Sequence, residues 1–312
     1  MGQRVSRLFS DRWHALEPAT TETILFADLD NTLIGDEIGQ EEFNNFWPAY
    51  AKQCNGILVY NTGRGLPKVM EWISQRKLLP CSLIICNQGC NIYEKGQLLP
   101  AWAEMLCSTG YTLTLLDYVQ DVLRSWSLDA GMSVQIWMER SHFHLRVGVK
   151  CNDEPPLFDE ARLKYLKVTE RLEALNLPGI RVLAWSAEEV REWFSSEDCW
   201  RDYGLVFDVT PAFAGNSKGP AANFVQEYVI QRNAEYCRVT SIWAGDGEND
   251  VGMLDSSVFH GIVVSNACQE LKDSVKRRKV GAAIYVSQRS HAAGVVEGLR
   301  WFEHHSSSTS SS

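Results

Sequence analysis

The sequence predicts an α/β protein whose parallel-sheet core is interrupted by a smaller inserted domain. Short apolar segments alternate with helical stretches along the chain: "ILFAD", "GILVYNTG", "SLIICNQG", "GLVFDVTP", "VTSIWAGD", "GIVVSN" and "AAIYVS". That alternation is what a parallel sheet with crossover helices requires. Runs such as Ile24 to Ala27 are apolar at every position, as strands covered on both faces are. Between about Asn91 and Asp202 the texture changes. There "MSVQIWMER" and "FHLRVGVK" alternate like strands of a half-exposed antiparallel sheet, and "FDEARLKYLKVTERLEALN" has helical periodicity.

The expected organisation is an N-terminal extension over 1–22, a first core segment over 23–92, the insert over 93–203, a second core segment over 204–303, and a Ser-rich tail over 304–312. The tail "SSSTSSS" is low-complexity and expected to be disordered. Six of the eleven tryptophans, Trp102, Trp126, Trp137, Trp185, Trp193 and Trp200, fall in the insert. Their indoles suit either core packing or stacking on sugar rings.

With 312 residues, 45% of them apolar, the chain has material for about two domains. A net charge of −9 argues against a nucleic acid as main partner. The nine cysteines form no Cys-x-x-Cys pair; Cys86 and Cys90 come nearest, so free thiols in a reducing compartment are expected. No apolar run approaches the roughly 20 residues of a membrane span, and a cytoplasmic location is expected. The start, "MGQRVS", fits the pattern for N-myristoylation of Gly2, with Arg4, Arg7 and Arg12 close by, which would give weak peripheral membrane association. A mobile extension is the alternative.

The chemistry is carried by the ends of the apolar segments. Asp28 and Asp30 follow "ILFA", where ligands of open α/β sheets bind, although an Asp-Asn turn or a helix cap would use the same residues. "VYNTGR" supplies Thr62 and Arg64, "SKGPAANF" supplies Lys218, and "WAGDGEND" supplies Asp246, Asn249 and Asp250. Carboxylates for a hard cation, with an ammonium, a hydroxyl and an amide for phosphoryl oxygens, match the needs of phosphoryl transfer with Mg²⁺.

These motifs, in this order, resemble the haloacid dehalogenase superfamily, in the type with an α/β cap between the second and third motifs. The resemblance implies a Rossmann-like core with an inserted α+β cap domain. It implies Asp28 as the nucleophile forming an aspartyl-phosphate and Asp30 as general acid/base, with Thr62 and Lys218 holding the transferring phosphoryl group. Asp246 and Asp250 would position Mg²⁺ together with Asp28 and Asp30 of the Asp-x-Asp loop. Within that type the chain resembles the sucrose-phosphatase family from Ile24 to Phe302, through "DLDNTLIGD", "NTGR", "LLPCSLIICNQGCNIYEKG", "HFHLRVGV", "GIVVSNACQEL" and "SQRSHAAGVVEGLRWF". The last two lie outside the catalytic motifs.

This likeness implies a Mg²⁺-dependent phosphatase acting on a phosphorylated disaccharide, sucrose 6-phosphate. Another glycosyl phosphate (mannosylglycerate or glucosylglycerol phosphate), or a broad range of sugar phosphates, is the alternative. His142 stands in the place of a cap histidine of that family. Gln88, Gly89, Asn91, Arg64 and Asn249 complete the candidate substrate contacts, and His144 is either a second group on the face of His142 or a surface histidine. Two departures stand out. The Asp208-to-Lys218 spacing is ten, two more than the family usually shows, and "GDGEND" places Gly247 and Glu248 where Ser-Gly would be expected. Glu248 could add charge to the metal loop or face solvent.

Overall fold

A computed structural model of the chain describes residues 23–127, 134–151, 177, 179–186, 205–212, 218–232, 239–255, 258–278 and 281–306. The expectations placed on "MGQRVS", on "FDEARLKYLKVTERLEALN" and on most of the Ser-rich tail lie outside the described residues.

The described residues fall into two compact units, one running to Leu99 and resuming at Lys218, the other covering those from Pro100 to Ala212. In chain order the first contains β1 (Thr23–Ala27), β2 (Ile57–Asn61), β3 (Leu83–Cys86), β4 (Asn91–Glu94) and β5 (Gln97–Leu98). The second contains β6 (Val134–Arg140), β7 (Leu145–Cys151), β8 (Ile180–Ser186) and β9 (Leu205–Pro211). The chain then returns with β10 (Thr240–Gly245), β11 (Phe259–Val263) and β12 (Ile284–Val286).

The first unit holds an eight-stranded sheet in the order β12-β11-β10-β1-β2-β3-β4-β5. Its pairings are parallel from β12 to β3 and antiparallel from β3 to β5. Every residue of β1 and β2 is buried, which is why these strands read as continuous apolar runs. The helix Glu37–Cys54 begins where the Asp36 carboxylate accepts from the Gly39 amide at 2.9 Å. It buries Phe43, Trp47 and Tyr50, spaced to share one face, and it ends at Asn55, whose φ of 47° is left-handed.

The second unit is built on a four-stranded antiparallel sheet, order β6-β7-β9-β8, with helices Pro100–Ser108 and Leu113–Ser127. The expected α/β fold class, a mostly parallel core with a separate antiparallel domain, is what the structure contains.

Several expectations change in detail. "GLVFDVTP" is not a core strand: as β9 it pairs antiparallel with β7 and β8 in the second unit. Its apolar run mimics a buried parallel strand because its polar positions, Asp208 and Thr210, are fully buried as well. The insert therefore includes residues assigned to 204–303, and it begins at Pro100 rather than at 93. Residues 91–98 form a hairpin that extends the core sheet, turned at Lys95 and Gly96 with φ of 50° and 74°. Trp102 is completely buried and packs in the core of the second unit. The six cysteines at positions 54, 81, 86, 90, 107 and 268 are free thiols. No helix among the described residues is long and apolar enough to cross a membrane.

Candidate active site

The site is assembled at the carboxyl ends of β1, β2 and β10 and at the start of one helix. Parallel register places these ends side by side: Ala27 is opposite both Ala244 and Tyr60. Asp28 directly follows β1, Thr62 follows β2 and Asp246 follows β10. Lys218 does not end a strand as expected; it immediately precedes the helix Gly219–Arg232.

Lys218 is the hub. Its ammonium lies 2.7 Å from Asp28 Oδ1 and 2.9 Å from Asp250 Oδ1, and it is 1% exposed. The Asn61 amide donates to its carbonyl at 3.4 Å. Burial disfavours the charge, but Asp250 and Asp28 outweigh it and push the Lys218 pKa up, so the ammonium is permanent at neutral pH. Asp28 Oδ1 also accepts from the Leu29 amide at 2.7 Å.

The loop after β10 folds Asp250 back onto its own backbone, where Oδ2 accepts from the amides of Asp246 and Gly247 at 3.1 and 3.0 Å. Gly245 leaves the room for this, because a Cβ there would stand 2.3 Å from Asp250 Cγ. Thr32, fully buried, donates to Asp246 Oδ1 at 2.8 Å and ties the loop after β1 to the loop after β10. Glu248 is exposed.

Carboxylate oxygens of Asp28, Asp246 and Asp250 lie within 4.8 Å of one another. Burial pushes the Asp28 pKa well up, Lys218 opposes it, and Asp250 and Asp246 add to it. Burial and then Asp250 push Asp246 up to about 7, against the Thr32 hydrogen bond. Three crowded, desolvated oxygen donors whose negative charge is incompletely balanced are suited to a hard divalent cation. The Asp30 carboxylate, expected beside them, is outside this group. Arg64 holds it in a two-pronged contact, Nε to Oδ2 at 2.9 Å and Nη2 to Oδ1 at 2.7 Å.

Thr62 is fully buried, with its hydroxyl accepting from the Arg64 amide at 3.1 Å. The Arg64 guanidinium in turn lies 5.8 Å from the Trp72 ring centroid. The Gln88 amide donates to the Thr62 carbonyl, and the Asn87 amide to that of Arg64. Asn87, Gln88 and Gly89 form a left-handed turn with φ of 53°, 55° and 92°. Such strain persists only where the surroundings over-determine it. Gln88 is 5% exposed, and Asn91 is fully buried with its amide on Asn87 Oδ1 at 3.1 Å, so both are part of the frame of this turn. The Asn249 carbonyl accepts from the Lys218 amide at 3.4 Å.

In the second unit His142 is exposed, in the connection between β6 and β7. His144 is no surface histidine: it is 2% exposed and its Nε2 lies 3.0 Å from Asp208 Oδ2. Asp208 also receives Arg146, Nε to Oδ1 at 2.8 Å and Nη2 to Oδ2 at 2.9 Å. Burial alone would raise the Asp208 pKa, yet Arg146 and then His144 hold it at about 2. The polar contacts not anticipated from sequence are Thr32, which braces Asp246, and the buried ion pair of Arg146 with Asp208. "DNTL" signalled the first only as a hydroxyl near the Asp-x-Asp pair, and nothing local signalled the second, which arises from cross-strand register.

The chain is similar to mannosylfructose-phosphate phosphatase of Agrobacterium fabrum, 25% identical over 280 residues, with 89% of this chain and 95% of that protein covered. It is also similar to probable sucrose-phosphatase 3b of Arabidopsis thaliana, 24% identical over 292 residues. That match covers 89% of this chain, which spans 59% of the plant protein's length. Among solved structures, the sucrose-phosphatase of Synechocystis sp., in complex with sucrose and phosphate, superimposes with a TM-score of 0.60 at 21% identity, covering 91% of this chain and 99% of that one. A haloacid dehalogenase-like hydrolase from Bacillus subtilis gives 0.51 at 16% identity, covering 90% and 93%. These superpositions establish the fold. The family model described as sucrose-6F-phosphate phosphohydrolase matches residues 21–129 and 201–303. With more than half of its residues matched, the chain belongs to the sucrose-6F-phosphate phosphohydrolase family, a family of phosphoric monoester hydrolases.

Proposed function

We propose that the chain hydrolyses the phosphate monoester of a disaccharide, sucrose 6-phosphate first among them, to the free sugar and phosphate. The observation that carries this reading is the buried Lys218 ammonium between Asp28 and Asp250, beside Asp246. Asp28 attacks phosphorus in line with the sugar oxygen and becomes an aspartyl-phosphate, which divides one difficult displacement into two easier ones. Asp30 gives a proton to the leaving sugar oxygen, then takes one from the water that cleaves the acyl-phosphate. Lys218 and the Thr62 hydroxyl balance charge on the phosphoryl oxygens, and Arg64 and Asn249 stand next to them as substrate contacts. Bound by Asp28, Asp246 and Asp250, with the Asp30 main chain completing the set, Mg²⁺ would neutralise crowded carboxylates and phosphoryl charge.

The left-handed turn at Asn87–Gly89 is the proposed sugar-side element of the first unit, and the exposed His142 is a separate candidate carried by the second. A second reading is a fructose-containing disaccharide phosphate other than that of sucrose, favoured by the near full-length likeness to mannosylfructose-phosphate phosphatase.

Phosphate release from sucrose 6-phosphate, mannosylfructose phosphate, glucosylglycerol phosphate, fructose 6-phosphate and glucose 6-phosphate, with Mg²⁺ and with chelator, tests both. The leading reading expects sucrose 6-phosphate to exceed the monosaccharide phosphates by about 10²-fold in kcat/KM, since the second ring adds hydrogen bonds usable for orientation. Preference for mannosylfructose phosphate would select the second reading. Equal rates on monosaccharide phosphates would make this a broad sugar phosphatase, and full activity in chelator would remove the metal.

A further inference from the structure

The two motifs that lie outside the catalytic set, "GIVVSNACQEL" and "SQRSHAAGVVEGLRWF", meet beside the Asp28–Asp36 loop. Asn266, in the turn after β11, donates from its amide to the Asn31 carbonyl at 2.7 Å. Its Oδ1 accepts from the His291 amide at 2.8 Å, at the start of the helix His291–Ser306. Asn31 has a left-handed φ of 55°, and it directly follows Asp30. The His291 ring covers Gly35 so closely that a Cβ there would stand 2.5 Å from His291 Cδ2. On the other side of the same turn, the Cys268 amide donates to the Asp246 carbonyl at 2.8 Å, and the Ser265 amide to the Arg289 carbonyl at 3.0 Å. One short turn thus grips the loop bearing Asp30, the loop bearing Asp246 and the segment leading to the last helix.

The amides of Thr32, Leu33 and Ile34 all converge on the Leu29 carbonyl, so the loop is closed on itself at its base. The peptide between Asn31 and Thr32 gives its N–H to that closure, and its carbonyl is held from outside the loop. Asn266 holds that peptide by its oxygen. A single residue in the left-handed region has little steric preference for staying there, so an outside bond at the same peptide decides the direction in which Asp30 leaves the chain.

We propose that Asn266 is a positioning residue for Asp30, acting through the Asn31 carbonyl, while His291 fixes the orientation of the Asn266 amide. The inference rests on the reading of Asp30 as general acid and base. It predicts damage confined to steps in which Asp30 moves a proton: protonation of a poor leaving group, and activation of water in the second step.

Asn266→Asp keeps the shape and the acceptor for His291 but turns an oxygen towards the Asn31 carbonyl; Asn266→Ala removes both contacts. Each variant is assayed on a sugar phosphate and on 4-nitrophenyl phosphate, whose leaving group needs no acid. Loss of acid/base alignment is expected to lower kcat on the sugar phosphate by roughly 10²-fold with KM changed by less than about threefold. With 4-nitrophenyl phosphate the expected result is a burst of about one nitrophenol per active site, because the phosphoenzyme forms normally and waits for water. Amide exchange in residues 31–36 of the metal-free variants is expected to quicken by about tenfold or more, with β1 and β10 unchanged.

Equal losses on both esters without a burst, or unchanged exchange in 31–36, would overturn the inference while leaving the phosphatase reading intact. A wild-type chain inert towards every phosphate ester would overturn both.

Discussion

Lys218 Nζ and Asp28 Oδ1 are 2.7 Å apart, and both side chains are under a tenth exposed. A buried ammonium so placed compensates charge that water cannot reach, and Asp250 shares it at 2.9 Å. Removing one member of such a pair leaves an uncompensated buried charge, which costs more than the pair contributes. Lys218→Ala is expected to lower kcat by about 10²-fold or more, with a smaller change in KM, because the phosphoryl charge that develops in the transition state loses its ammonium. Steady-state kinetics on any accepted sugar phosphate checks this; a change confined to KM would make Lys218 a ground-state binding residue.

The raised pKa of Asp246 gives the metal-free chain a definite pH dependence. An aspartate held at about 7 in the folded state and near 3.8 unfolded binds more protons folded than unfolded. Its contribution to stability is therefore full below about pH 4 and is lost as pH rises through 7. The melting temperature of the chelated protein is expected to fall between pH 5 and pH 8, and Mg²⁺ is expected to restore it most at the upper end. Asp246→Asn should flatten the fall. A chelated protein equally stable at pH 5 and pH 8 would show that the crowded carboxylates do not carry this penalty.

How much of this could be read from the sequence follows from how local each signal is. Asp28, Thr62 and Asp246 were legible because each sits within one or two residues of a strand whose apolar run marks it. The β4–β5 hairpin carried its own signal, Lys95-Gly96 between two short strands, yet the apolar texture on either side concealed the boundary. Asp208 was misplaced for a different reason. A strand with buried Asp208 and Thr210 reads the same in one dimension whether the apolar run is covered on both faces or one face is a paired charge network. His144 shares that cause, since its partner Asp208 is 64 positions away and is brought opposite β7 by register alone.

The Arg146–Asp208 pair makes the second unit testable by itself. Arg146→Met would leave a fully buried carboxylate with His144 as the basic group beside it among the described residues, a loss of about 3–5 kcal/mol. Arg146→Met with Asp208→Leu removes both charges and is expected to recover most of that loss. Calorimetric unfolding of the single and double variants checks the difference. The folded pKa of about 2 for Asp208 lies below the unfolded 3.8, so this network stabilises above about pH 4 and weakens as pH falls towards 2. A double variant no more stable than Arg146→Met would show that the pair is not what the two substitutions share.

Two glycines of the loop after β10 give a matched comparison. A Cβ on Gly245 would stand 2.3 Å from Asp250 Cγ and 2.4 Å from its Oδ2, and no rotation of a side chain whose Oδ2 is held by two backbone amides relieves that. A Cβ on Gly247 would meet Asn249 Oδ1 at 3.0 Å, the end of a half-buried side chain that can turn away. Gly245→Ala is therefore expected to displace Asp250 from both Lys218 and the neighbouring carboxylates. Mg²⁺ affinity and kcat should each fall by roughly 10²-fold, since an error of about 1 Å in a positioned group has that order of effect. Gly247→Ala should stay within about fivefold of wild type in both. Calorimetric Mg²⁺ titration beside steady-state kinetics separates the two variants, and equal losses in both would mean that the fold-back of Asp250 is not what Gly245 secures.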